Sequence, residues 1–170
     1  MPRSLSQLKN EIDALVSYKQ ATKQILPIIL LCFLESFREG KRELSVPEAK
    51  EKYLKTVKKL IRSFKHDFGI GGEFNDTYLD RLTSRRPFLE RVRSPERLYR
   101  LRRDVRQHAP HLEECIICAL RRELQKRYGP VLNLLRGLKI TLTELGKWEP
   151  WRGDAKSILG NVSDEVRRSI

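Results

Sequence analysis

Apolar residues recur at intervals of three and four along most of this chain, the spacing that gathers them on one side of an α-helix. Leu5, Leu8, Ile12, Leu15 and Val16 form the first such stripe. Ser4 and Gln7 stand ahead of it at capping-box spacing, so the pattern predicts a helix running to about Gln24. Residues 25–34 (ILPIILLCFL) are apolar on every side, which predicts a buried second helix started or kinked at Pro27 and ended at Gly40. Ser45 and Glu48 repeat the capping box, with Pro47 in the first turn, where a missing N–H costs little. Ala49, Tyr53, Val57, Leu60, Ile61, Phe64 and Phe68 then draw the longest amphipathic stripe, stopped by Gly69.

Residues 69–76 (GIGGEFND) read as a loop, followed by a short helix around Tyr78 to Leu82 that is broken by Pro87. Ser94-Pro95-Glu96 reads as a third cap, opening a helix that carries Leu98, Leu101 and Val105. Pro110 begins another, with Leu112, Ile116, Ala119, Leu120 and Leu124 on one side and Gly129-Pro130 at its end. A last long helix spans residues 131–145, with Gly137 its weak point. The pattern holds no convincing strand alternation, repeat or low-complexity tract. It predicts an all-α fold: a single-domain helical bundle of about six to eight helices over residues 1–146, with a short C-terminal extension, residues 147–170, packed on or near it.

Size and composition agree with a folded domain. The chain has 170 residues, 39% of them hydrophobic and 34% charged, and a domain near this size removes about 70% of its unfolded surface from water. The apolar run at 25–34 falls short of the roughly 20 residues that span a bilayer, and it lies too far from the N-terminus for a signal peptide, so no membrane association is expected. Three cysteines, Cys32, Cys115 and Cys118, make no disulfide framework and point to a reducing, cytoplasmic setting.

Charge changes the picture most. The net charge is +13 and the pI is near 10.0, which calls for a polyanionic partner. Residues 41–65 carry nine basic side chains against Glu43, Glu48 and Glu51, a net of +6. Residues 81–106 carry ten, all arginine, against Glu90, Glu96 and Asp104, a net of +7. These two segments account for the whole excess. In the first, Lys55, Lys58, Lys59, Arg62 and Lys65 lie mostly off the apolar stripe, where a docked helix presents them to solvent. In the second, Arg85, Arg86, Arg91 and Arg93 precede a predicted helix bearing Arg97, Arg100, Arg103 and Arg106. Arginine suits phosphate because its planar guanidinium donates two parallel hydrogen bonds. A solvated surface explains any single charge run equally well, but solubility alone does not demand arginine over lysine and glutamate. Aromatic residues are sparse among these cations. Backbone tracking is therefore expected rather than base stacking, with Tyr99 as one candidate stacking contact and Phe64, Phe68 and Phe88 as core.

Signals for catalysis are weak. His108, His111, Cys115 and Cys118 would spread along about three helical turns and cannot converge on a tetrahedral metal; the two cysteines read better as small core residues. Asp67-Phe68-Gly69 lacks the other kinase motifs, His66-Asp67 is a bare pair, and the glycines at 69–72 are followed by no Gly-Lys-Ser/Thr. The sequence predicts no enzyme, no metal and no cofactor. Trp148 and Trp151 read as residues closing the end of the bundle, or as a partner-docking surface beside Pro150, Lys147 and Arg152.

A basic, all-helical chain of this length resembles the small subunits of multi-subunit CRISPR effector complexes, with residues 50–65 and 81–106 as the basic helices. The resemblance covers the whole chain in kind and rests on no diagnostic motif. It implies a non-catalytic protein that assembles with copies of itself and other subunits, and helps hold crRNA and target or a displaced DNA strand, so RNA or single-stranded DNA is the implied ligand. Two other classes fit the same residues. One is a stand-alone DNA- or RNA-binding regulator, although the arginine segment offers only Gln107 as a base-reading amide for a helix-turn-helix. The other is a scaffold whose basic segments meet an acidic partner or an anionic membrane surface.

Overall fold

A computed structural model of the protein describes residues 1–17, 24–64 and 70–145. The expected C-terminal extension, with Trp148 and Trp151, and Lys65 lie outside the described residues. The chain divides into two units, Met1–Glu123 and Leu124–Ile170.

Helix α1 (Leu5–Ser17) buries Leu8, Ile12, Leu15 and Val16, the stripe that its spacing predicts. Its capping box is made in both directions: the Ser4 N–H donates to Gln7 Oε1 at 2.8 Å and the Gln7 N–H to Ser4 Oγ at 3.2 Å. Helix α2 (Ile25–Arg38) buries eleven residues on all its sides, as a helix without a polar face must. It packs against α1 and, as those elements are met below, against two further helices and a strand. Burial pushes its Cys32 thiol up to about 12, which makes the thiol chemically inert at neutral pH. α2 ends in a Schellman turn: Lys41 N–H donates to Ser36 O and Gly40 N–H to Phe37 O, with Gly40 at φ +91°.

Strand β1 (Glu43–Ser45) leads directly into α3 (Val46–Phe64), whose capping box again closes, Ser45 N–H to Glu48 Oε2 at 2.9 Å and Glu48 N–H to Ser45 Oγ at 3.4 Å. α3 lays Ala49, Tyr53, Thr56 and Leu60 against α2. The returning loop folds onto it: Tyr53 donates its hydroxyl to Gly72 O at 2.9 Å, and its ring lies 5.6 Å from that of Phe74. Gly71, at φ +80°, lies close against α3, since a Cβ there would stand 2.6 Å from Val57 Cγ1. Helix α4 (Thr77–Ser84) buries Leu79 and Leu82 and packs on α2.

The chain is not all-helical, contrary to what its spacing predicts, because strands form within residues 89–101. The segment expected as an arginine-bearing helix is a hairpin, β2 (Leu89–Arg91) and β3 (Leu98–Leu101), with β3 also pairing antiparallel with β1. The order is β1-β3-β2. The protein is therefore mainly helical with a small three-stranded sheet. Burial along β3 alternates, with Tyr99 and Leu101 inside and Leu98 and Arg100 half-exposed, so Leu98 and Leu101 are on opposite faces of a strand rather than on one helical stripe. Ser94 caps no helix; its Oγ accepts from the Glu96 N–H at 3.3 Å, two residues on, within the hairpin loop. Strands of three or four residues are too short to display an alternation that outweighs helical spacing.

Helix α5 (Arg103–Gln107) precedes α6 (Ala109–Leu145). Up to Glu123, α6 buries Leu112, Ile116, Ala119 and Leu120, and Arg38 Nε of α2 lies 3.1 Å from both oxygens of its Glu113. α6 runs through Gly129 and Pro130, where a break is expected from sequence. Proline deletes one N–H donor at a cost of roughly 3 kcal/mol, and the remaining ladder carries the helix past it. Among the described residues, no helix is long and apolar enough to cross a membrane.

Candidate nucleic-acid interface

The expected binding cations separate into those bound to carboxylates and those without a partner among the described residues. On α3, Lys55 pairs with Glu51 at 2.8 Å, one turn away and fully in solvent, an arrangement worth little and easily exchanged for a phosphate. Lys59 reaches Glu35 Oε1 at 3.2 Å. Glu35 sits on α2 and is only 3% exposed; Thr56 donates to it at 3.4 Å and Lys52 Nζ stands 3.7 Å away. A carboxylate this buried needs its cations, so Lys52 and Lys59 are structural as well as basic. Lys58 and Arg62 are exposed and pair with nothing among the described residues. Leu54, 51% exposed, is an apolar position beside them.

The arginine segment is dispersed over α4, β2, the hairpin loop, β3 and α5, so the expected helix bearing Arg97, Arg100, Arg103 and Arg106 does not form. Arg97 is held tightly. Its Nη1 donates to Asp76 Oδ2 at 2.6 Å, Nη2 to Asp80 Oδ2 at 2.7 Å, and Nε to the Tyr99 hydroxyl at 2.7 Å. Tyr99 in turn donates to Asp80 Oδ1 at 2.8 Å. Burial pushes the Asp80 carboxyl upward, but the hydrogen bonds from Tyr99 and Arg97, with the charges of Arg97 and Arg91, outweigh it and hold Asp80 below its usual range. Tyr99 is 0% exposed, which overturns its reading as a base-stacking contact: its ring is core and its hydroxyl is spent within the ring of bonds.

Arg100 lies in the same sheet row as its two neighbours, paired in register with Glu43 of β1 and Glu90 of β2. Its Nε is 2.7 Å from Glu90 Oε1 and its Nη1 3.8 Å from Glu43 Oε1. One cation thus bridges two like charges across three strands. Arg106 also approaches Glu90, at 3.9 Å. Arg85, Arg93 and Arg103, by contrast, are exposed with no side-chain partner among the described residues. Arg91 is exposed on the edge strand β2, and Arg86 is half-buried. Sequence reasoning weighted all these arginines alike because it could not see that Asp76, Asp80, Glu43 and Glu90 fold back onto three of them.

No protein-family model, curated protein or solved structure matches this chain.

Other candidate chemistry also finds its place. Cys115 and Cys118 are not core residues: with Lys9, Asp13, His111, Glu114 and Arg122 they line an open groove of about 410 Å³ between α1 and α6. Among the described residues no group of three or more His, Cys, Asp or Glu side chains is arranged to hold a metal. Phe88 is core, as expected, at 1% exposure, while Phe64 is half-buried under the Arg121 guanidinium, 5.6 Å from its ring centre.

Two features escape sequence inspection. α4 keeps Thr77, Asp80, Arg81 and Ser84 on its exposed side, with exposed Arg85 just beyond its end, a polar, hydrogen-bonding set where the sequence pattern marks only a short helix. The other is the hairpin, whose local signal is limited to the Ser-Pro turn ahead of Leu98-Tyr99-Arg100-Leu101, where Tyr99 alone is a strand former.

Proposed function

We propose that this is a non-catalytic nucleic-acid-binding protein that grips the phosphate backbone of duplex DNA through its free surface cations. The observation that carries the reading is connectivity. α2, β1, α3, α4, β2 and β3 follow one another in that order, with β3 between β1 and β2. This is the connectivity of a helix-turn-helix bearing a hairpin arm, a winged form of the motif. In a helix-turn-helix the first helix crosses the backbone and the second enters the major groove, and strand pairs also enter grooves. Here α3 is the backbone-crossing helix, with Lys58 and Arg62 on phosphates. α4 is the groove helix, with Thr77, Arg81 and Ser84 toward base edges, and the hairpin brings Arg91 and Arg93. The connection between α3 and α4 is longer than the usual three- or four-residue turn, and the short α4 limits the number of bases read. Most of the affinity in this reading comes from counterion release and is independent of sequence.

A place among the small subunits of CRISPR effector complexes is the second reading, and the sheet removes the all-helical character that was one of its three supports. Anisotropy titration of labelled random-sequence duplex against single strands tests the proposal. Duplex binding that weakens steeply with salt is expected, and stronger binding to single-stranded RNA or DNA than to duplex would favour the ribonucleoprotein reading.

A further inference from the structure

Arg97 lies where the hairpin loop enters β3, yet its three donor directions are all used inside the protein. Asp76 stands just before α4 and Asp80 in its first turn, so two carboxylates from one element converge on a guanidinium from the next, and the Tyr99 hydroxyl closes the ring between Arg97 and Asp80. The guanidinium lies 5.7 Å from the centre of the Tyr99 ring, which is itself fixed in the core. A planar fork bound at both tips and at Nε has no rotational freedom left. α4 otherwise meets β2 and α2 through Leu79 and Leu82 alone among its buried residues, and eight residues make a weak helix by themselves.

We infer that Arg97 is a positioning residue that locks α4 to the β2–β3 hairpin, so that helix and arm meet one duplex as a pre-set unit, and that it makes no phosphate contact itself. This rests on the duplex-binding reading for its purpose and on the four hydrogen bonds for its mechanics. Two elements that must engage a rigid duplex together gain affinity when their relative placement is fixed before binding, because the ordering cost is already met.

The test opposes charge to geometry. Converting Asp76→Asn and Asp80→Asn in the full chain removes two negative charges and releases an arginine, so counterion release alone calls for tighter binding to a random-sequence duplex. The lock calls for the opposite, binding weaker by about tenfold at fixed salt, because α4 and the arm no longer share one orientation. Affinity equal to or above wild type would overturn the inference. Should the double variant fail to fold, Tyr99→Phe keeps ring and charge and removes only the hydroxyl; a fall of about threefold is expected there, and no change overturns the lock. Amide exchange over residues 79–84, measured without DNA, separates the two ideas. It should quicken at least tenfold in the folded variant that is used, and unchanged exchange refutes the lock. Wild-type protein that ignores duplex DNA while passing the exchange test defeats the functional reading and leaves the lock standing.

Discussion

Replacing Arg3 with methionine should destabilise the first unit substantially, because its side chain is only 16% exposed and joins three parts of the chain. Arg3 Nε lies 2.8 Å from Asp104 Oδ2, its Nη1 2.6 Å from Glu11 Oε2, its Nη2 donates to Pro87 O, and its guanidinium stacks 5.4 Å from the Phe88 ring centre. One side chain thereby joins α1, the approach to β2 and α5. Asp104 is 7% exposed, and removing one member of a buried ion pair costs about 3–5 kcal/mol because the other charge stays buried without its partner. Asp104 keeps the Val105 N–H at 3.0 Å and has Arg102 at 4.0 Å, so the expected loss is about 2–3 kcal/mol. Equilibrium urea unfolding reads it as a lower midpoint at unchanged slope. The sign with pH is set by Asp104. Burial raises its carboxyl, but the side-chain and backbone hydrogen bonds and the charge of Arg3 outweigh this and hold it below its usual range. A depressed carboxyl contributes stability above its unfolded value, about 3.9, that is lost as pH falls through the lower folded value. Without Arg3 the carboxyl rises, so the difference between variant and wild type should be full at neutral pH and shrink in acid. A loss under about 0.5 kcal/mol at pH 7 would mean that the Arg3 network is an ordinary surface pair, and the reasoning would fail.

The division of cations into free and bound yields a paired prediction. Lys58→Ala and Arg62→Ala should each lower the slope of log affinity against log salt by about 0.9 with little change in unfolding midpoint. Arg100→Ala should leave the slope nearly unchanged while lowering stability, since Glu43 and Glu90 then face each other unbridged; equal slopes for all three variants would erase the distinction. Gly71→Ala should destabilise by about 1–3 kcal/mol in thermal unfolding, because φ is +80° and the new Cβ meets Val57 on a packed helix; an unshifted midpoint would show that the loop does not seat on α3 as described.

The helical frame was readable because α1, α2 and α3 each bury one long periodic stripe, or are apolar throughout, and two of them carry reciprocal caps that a sequence displays openly. The sheet was hidden by its brevity. Leu98, Leu101 and Val105 satisfy helical spacing equally well, and only pairing with β1, more than fifty residues away, selects the strand. The candidate site was legible as charge and illegible as geometry. Lys58, Arg62, Arg85, Arg93 and Arg103 were expected on the surface and stand there. Arg97, Arg100 and Arg106 carry the same formal charge, but their partners come from α4, β1 and β2, and no local pattern announces a long-range ion pair. Glu35 makes the same point from the other side: its place just after the apolar run of α2 conceals that Lys52 and Lys59 of the next helix neutralise it.

Lys58, Arg62, Arg85, Arg93 and Arg103, five of the exposed cations that pair with nothing among the described residues, set the scale for the decisive measurement. If each meets one phosphate, affinity of the intact protein for a random-sequence duplex of about 20 base pairs should fall linearly with salt on logarithmic axes, with a slope near −4 to −5. Absence of binding at low salt, or a slope near zero, would contradict the account.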